Sequence, residues 1–448
     1  MQFIELKDFI LLPIYLIVIY IIAYNSRNRI YGPGNPLYKY YIPALSVKII
    51  GALGIGLVYQ YYYGVGGDTS NYYRNGKIVS EIFSTSLSDY LDLVFKPILS
   101  TLDIRAKINW TDSGFGYNES NYFPIRVLAV FELFTFQTYL PSAVLFAFLS
   151  FTGIWKAYST IVHIFPVLYK EFAIAFLFMP SVFFWGSGIL KDTLVIAALS
   201  WLFYASYMVF ILRVNLMKGI FILVISIGTL LIIKPYVALT FLPSLVFLVF
   251  FTYRNRIKSH FLKVIALPLI LFIVVAGGLF IIDTIGQQNQ RFSADNLVGE
   301  AATFNANNMA AGSSVDVGIS GNMGTLQLLK VAPLAIITTL FRPFIFEVSN
   351  PLMLLSALEG TYIIYLFGLI LVRTGIVNAF RIISQNPMVS FCLIFSLIFA
   401  FAVGIATSNF GTLVRYKIPC IPFFMTALFI IRHQSQVLVV RRGFGKQA

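Results

Sequence analysis

The sequence predicts an all-α, polytopic membrane protein, and three observations predict it. Hydrophobic residues make up 58% of the 448 residues and charged ones only 11%, whereas soluble domains carry roughly a quarter charged residues. The apolar residues fall in continuous blocks near the ~20 residues a helix needs to cross a bilayer. Those blocks lack the ten-residue alternation of a membrane β-barrel. In lipid, such blocks satisfy their own backbone hydrogen bonds only as helices.

Taken in order, about eleven blocks qualify by the ~20-residue measure. The first, 9–24, follows MQFIELKD, with acids before the apolar run and no small-residue cleavage site; it reads as a retained helix, not a signal peptide. The others are 45–63, 140–158, 172–187, 193–212, 219–233, 237–252, 264–283, 353–373, 389–407 and 418–432. Two long connections interrupt the series, 64–139 and 284–352. The second carries a polar stretch rich in Gly, Ser, Asn and Ala, predicted to be partly flexible. Each connection ends in a more amphipathic or interrupted apolar piece, 123–140 and 325–346, predicted as interfacial or re-entrant helices. The chain closes on a basic tail, 433–448, and forms a single multi-pass domain without internal repeats.

The net charge of +14 could suggest nucleic acid, but its distribution favours basic cytoplasmic loops instead. One set of loops holds Arg27, Arg29, Lys39, Lys156, Lys170, Arg213, Lys218, Arg254, Arg256, Lys258, Lys263, Arg373 and Arg381, with Arg441, Arg442 and Lys446 in the tail. Among the 18 acids only Glu171 lies with them. The positive-inside rule puts this set in the cytoplasm, the N-terminus outside and the C-terminus inside, as an odd number of spans requires. Cys392 and Cys420 sit in apolar runs and read as packing residues.

The unusual charges then fall on the outer face: Asp68 in GVGGDTSNYYRNG, Lys191 and Asp192 in GILKDTL, Lys234 in IIKPY, Arg342 in LFRPF, and Arg415 beside Tyr416 and Lys417 in LVRYKIP. Ionisable groups at membrane depth are costly and tend to mark function. Each has a structural alternative. Asp68 could be a solvated turn residue or a helix cap, Asp192 could favour a helix N-terminus, and the cations could snorkel or anchor helix ends. The tyrosines around Asp68, Tyr72 and Tyr73 among them, could stack on sugar rings or form an interfacial aromatic belt.

As a set, Lys191, Lys234, Arg342 and Arg415 suit phosphate oxygens, and Asp68 suits a general base for an attacking hydroxyl. These parts describe glycosyl transfer from a lipid-linked sugar phosphate. All three histidines (His163, His260 and His433) fall on the basic side, against histidine catalysis or a His-rich metal site at the outer face. No phosphate-binding loop of the ATPase type occurs. No metal and no separate cofactor is expected.

At these residues the sequence resembles known families. The GD-T/E-x-x-Y-like element at Asp68 and the late VRYKIPCIPFF look like elements of the GT-C superfamily of membrane glycosyltransferases. The same loop, with PSVFFWGSGILKD and KPY, is similar to EpsG-type and O-antigen-polymerase-type proteins of bacterial polysaccharide assembly. The resemblance implies a bacterial cytoplasmic-membrane enzyme using a polyprenyl-linked glycan, with Asp68 as base or acceptor-site acid and Arg415, Lys191 and Lys234 as phosphate ligands. It also implies other polysaccharide-assembly proteins as partners. Two features depart from many GT-C enzymes: they carry a second acidic motif and an outer domain after the last span, whereas this chain ends in a short basic tail. The competing expectation is a transporter or flippase of lipid-linked glycans, for which Glu359, an acid within the ninth predicted span, is the marker.

Overall fold

A computed structural model describes residues 2–259 except 65, scattered positions from 261 to 272, and residues 325–444 except 408. Every regular element among them is helical. The elements that build the site are α1 (Leu6–Ile30), α2 (Tyr38–Leu57), α3 (Asp68–Thr85), α4 (Leu87–Phe95), α5 (Glu119–Phe134) and α6 (Tyr139–Ile164). They continue with α7 (Pro180–Phe184), α8 (Lys191–Ser206), α9 (Leu216–Ile233), α10 (Pro235–Tyr253), α11 (Thr325–Phe341) and α12 (Pro351–Thr374). The last four are α13 (Ile376–Gln385), α14 (Pro387–Ala406), α15 (Phe410–Tyr416) and α16 (Ile421–Phe444).

Among the described residues, eight helices are long and apolar enough to cross a membrane: α1, α2 with its π-helical extension to Tyr62, α6, α8 with its extension to Leu212, α9, α10, α12 and α14. A further pair, α15 and Ile421–Val437 of α16, is bent by 67°. The α1 surface shows what solvent these helices need. Leu6, Ile10, Ile14, Ile17 and Ile21 form one outward stripe, each more than half exposed. Such a stripe follows the helical repeat but suits hydrocarbon rather than water.

The bundle is centred on α6 and α8. Helix α2 packs on α6, α9 on α8, and α14 packs against α10, α11 and α16. Close approach comes from small residues, as in other membrane helix pairs: a Cβ on Gly153 of α6 would lie 2.6 Å from the Ala197 carbonyl oxygen of α8. The connection 64–139 folds into α3, α4 and α5 and short turns. There the Arg105 guanidinium lies 3.8 Å from the Tyr122 ring centroid and donates to the Gly116 carbonyl, holding the turns onto α5.

The predicted span 172–187 is corrected: it is not one helix. A helical turn at Tyr169–Ala173 and a π-helical turn at Ile174–Phe178 stop at Met179, which is extended (ψ 125°), before α7 starts at Pro180. Proline lacks an N–H and pushes the preceding residue out of the helical region, so the break is local chemistry. The predicted span 264–283 falls mostly, and the polar stretch 284–324 wholly, outside the described residues. The piece 325–346 contains α11, packed along α14. Part of the tail, up to Phe444, continues α16 as helix.

Breaking a helix in an apolar core exposes backbone groups that must find partners. Glu359 of α12 supplies them at one end of α7: its carboxylate accepts the Ser181 amide and the Ser181 hydroxyl, both at 2.9 Å. Lys48 of α2 supplies them at the other end, donating to the carbonyls of Val182 (3.2 Å) and Gly186 (2.6 Å) and to Ser150 Oγ (2.9 Å). Glu359 thus has a structural partner set on the broken segment.

Candidate functional site

Six chain regions meet where helix ends converge. Gly67 begins the construction. Its φ of +93° is a left-handed conformation that glycine tolerates, and a Cβ there would lie 2.6 Å from the Tyr59 ring. The chain turns over Tyr59 and starts α3 at the next residue, so Asp68 sits in the first turn; the N-cap is Gly67 and not Asp68.

Arg415, near the end of α15, is the hub. Its Nη2 donates to Asp68 Oδ2 at 2.9 Å, its Nε to Asp192 Oδ2 at 3.1 Å, and its Nη1 to the Tyr59 hydroxyl at 3.4 Å. Asp192, in the first turn of α8, is shared: its other oxygen accepts Lys234 Nζ at 2.5 Å. Lys234 occupies the one-residue link between α9 and α10, and its ammonium stands 4.0 Å from the Tyr416 ring centroid. Burial works against the Lys234 charge, but the Asp192 carboxylate outweighs it and holds the ammonium above the usual lysine range.

Burial grades this network. Asp192 and Lys234 are nearly inaccessible, with side chains 4% and 9% exposed, whereas Arg415 is 17% and Asp68 41% exposed. The two cations and two carboxylates cancel formally. Lys234 therefore serves Asp192 from below, and only Arg415 and Asp68 reach the surface. There a cleft of about 200 Å³ opens, lined by Arg415, Tyr59, Tyr63, Trp185, Asn350 and Asn409 among others. Asn350 and Asn409 are helix N-caps whose carboxamide oxygens accept backbone amides, 2.9 Å from Met353 N and 2.8 Å from Gly411 N. Charge, aromatic faces and amides in one cleft are the groups that bind a polyhydroxylated, anionic ligand.

Lys191 stands beside the network on α8. Its Nζ donates to Ser120 Oγ at 2.8 Å, and Ser120 Oγ donates to the Ile233 carbonyl at 2.8 Å. Among the described residues no carboxylate lies within ion-pair distance of Lys191.

Not every predicted residue joins. Arg342 stands apart, with a carboxylate of its own: Nε donates to Glu347 Oε2 at 3.1 Å and Nη2 to Oε1. Its carbonyl accepts Lys417 Nζ at 3.2 Å. Tyr73 is buried, donating to the Gln137 carbonyl at 2.8 Å with its ring against Tyr139. Tyr72 is buried against Phe115, 5.1 Å between centroids, close enough to Asp68 and Arg415 to feel their charge; burial pushes its phenol well above the ordinary value. Neither ring offers an open face to the cleft. Tyr59, Trp185, Asn350 and Asn409 take that place, and the sequence reading missed them. The asparagines left a signal, because Asn before Pro351 and before Phe410 marks helix starts.

Among the described residues, no group of three or more His, Cys, Asp or Glu side chains is arranged to hold a metal ion. No protein-family model matches the chain, and neither a curated protein nor a solved structure matches it. The class is set by the fold and the site together: a polytopic helical membrane protein with a four-residue ion network under a polar, aromatic cleft.

Proposed function

We propose that this chain transfers a glycosyl group, or joins glycan repeat units, from a polyprenyl-phosphate-linked donor during cell-surface polysaccharide synthesis. We place it in a bacterial cytoplasmic membrane with about eleven spans by the ~20-residue measure, N-terminus outside, C-terminus cytoplasmic and the cleft on the outer side. The observation that carries the reading is Asp68 held 2.9 Å from Arg415, whose side chain lines the cleft.

The chemistry uses both groups. The Asp68 oxygen not engaged by Arg415 takes the proton from an acceptor hydroxyl. The hydroxyl oxygen attacks the anomeric carbon, and the bond from that carbon to the donor phosphate oxygen breaks. The leaving lipid phosphate keeps the bonding electrons, and Arg415 and Lys191 neutralise it. Asp192 and Lys234 hold the guanidinium in place.

A second reading, transport of lipid-linked glycans, draws on the broken segment around α7, since broken helices line many transporter sites. The hydrogen bonds of Glu359 to Ser181 speak against a carrier role for that acid. The test is incorporation of labelled sugar from polyprenyl-linked donor by purified protein, wild type beside Asp68→Asn. Asp68→Asn is expected to lose about 10²-fold or more, the scale of a missing general base. Undiminished incorporation by Asp68→Asn would remove Asp68 as the base; incorporation by neither, with donor flipping by both, would favour transport.

A further inference from the structure

A second cavity, with two arginines among its lining residues, lies at the far end of α12. Asn350, the N-cap of α12, lines the Arg415 cleft, and Arg373 comes one residue before the helix ends at Thr374. Over the 24 residues of α12 a rise of ~1.5 Å each separates the two ends by roughly 35 Å. The cavity there measures about 390 Å³ and lies between α12 and α16. Arg373 and Thr374 line it from α12, and Arg432, Ser435 and Gln436 from α16.

Three features give this cavity a ligand chemistry. First, it gathers two guanidinium side chains, and among the described residues no carboxylate lies within 4 Å of either. Arg415 and Arg342, by contrast, each have a carboxylate partner. Glu171 lies, like Arg432, near Tyr362, but it does not line the cavity. Second, the hydroxyl of Thr374 is buried without a hydrogen-bond partner among the described residues, a state that carries a free-energy cost unless a ligand or water bonds it. Third, the cavity is amphipathic. Leu369 and Ile370 line it too, an apolar wall beside the two guanidinium groups.

We propose that this cavity binds the phosphate headgroup of an anionic membrane phospholipid. The two guanidinium groups fork onto phosphate oxygens, the Thr374 hydroxyl adds a hydrogen bond, and the acyl chains leave past Leu369 and Ile370. Basic pockets between membrane helices on the cytoplasmic side bind acidic headgroups in this way. Free inorganic phosphate shares the headgroup chemistry but has no use for the apolar wall. The site is separate from the Arg415 cleft and does not depend on the transferase reading.

The experiment uses the full chain, purified in detergent and stripped of lipid. Phosphatidylglycerol, phosphatidylcholine or inorganic phosphate is added, and bound lipid is counted by native mass spectrometry beside the melting temperature. Phosphatidylglycerol is expected to bind and to raise the melting temperature, and the other two are not. The double variant Arg373→Gln/Arg432→Gln is expected to bind phosphatidylglycerol at least about tenfold more weakly, the scale of one lost charged hydrogen bond. Equal binding by that variant overturns the site. An equal response to inorganic phosphate overturns the lipid assignment, and an equal response to phosphatidylcholine shows that charge plays no part. If the double variant fails to fold, Arg432→Lys keeps the charge and loses the fork. It is expected to weaken phosphatidylglycerol binding several-fold, and no change overturns the proposal.

Discussion

Two regions bury charge in an apolar bundle, and they do so differently. Around α7, neither Lys48 nor Glu359 has an ion-pair partner within 4 Å among the described residues, though Lys417 lies close enough to feel the Glu359 charge; each spends its hydrogen bonds on backbone or hydroxyl groups at the broken segment and beside it. Around Arg415, four charges bond to one another, and the chain of pairs runs from buried Lys234 and Asp192 out to half-exposed Asp68. The first arrangement is complete within the protein and leads nowhere. The second ends at a cleft. A lone buried charge on backbone repairs a helix, whereas a graded network that reaches the surface positions a group for use.

The comparison breaks most readily at Asp192. Asp192→Ala would leave Lys234 without its carboxylate and Arg415 with Asp68 alone. Leaving a buried charge unpaired costs about 3–5 kcal/mol. The expected outcome is loss of folded protein, seen as a collapsed yield of monodisperse material or a sharply lower melting temperature. A variant that keeps the wild-type melting temperature would mean that the network is not structural support.

Gly67 tests whether backbone geometry sets Asp68. Gly67→Ala forces a left-handed φ on alanine and drives its Cβ into the Tyr59 ring. Strain of this kind costs about 1–3 kcal/mol. The predicted result is a lower melting temperature together with reduced sugar incorporation per folded molecule, because the start of α3 must shift. A stability loss with full incorporation would separate the turn from the site.

Lys48 tests the other half of the comparison. Lys48→Met removes donors from the Val182 and Gly186 carbonyls, and Ser150 Oγ still donates to Gly186 at 2.8 Å. The expected cost is about 1–2 kcal/mol, the scale of one unsatisfied buried acceptor. Incorporation per folded molecule is expected to stay at the wild-type level; its loss would give Lys48 a functional role.

These charges were unevenly legible in the sequence. The spans were readable because hydropathy is local, and Pro180 marks the break that divides 172–187. Asp68, Asp192, Lys234 and Arg415 stood out as charges beside apolar runs, but their pairing joins residues up to 347 apart in sequence, which no local pattern encodes. Arg342 looked equivalent, yet Glu347 lies five residues on and takes its guanidinium, a neighbour visible in FRPFIFE. Lys48 lies inside the predicted span 45–63, and nothing local to it marks its partners, the Val182 and Gly186 carbonyls. Tyr59 was one tyrosine in YQYYY, and only the turn at Gly67 singles it out.

The smallest effect concerns a charge that belongs to neither region. Glu132 of α5 is buried, and neither of its carboxylate oxygens has a hydrogen-bond partner among the described residues. Burial raises its carboxyl well above the usual glutamate value; Lys77 and Lys7 pull it down, and Asp8 and Glu81 add to the rise. The unfolded chain therefore releases this proton at a lower pH than the folded one. Between those two values the unfolded state binds fewer protons, so wild-type stability falls as pH rises through the window. Glu132→Gln keeps the shape and removes the titration. Its melting temperature is expected to decline less than that of the wild type between pH 5 and pH 8, by a few degrees at most. Parallel declines would mean that Glu132 is ionised in the folded protein, with a partner for its charge that the packing around α5 does not provide.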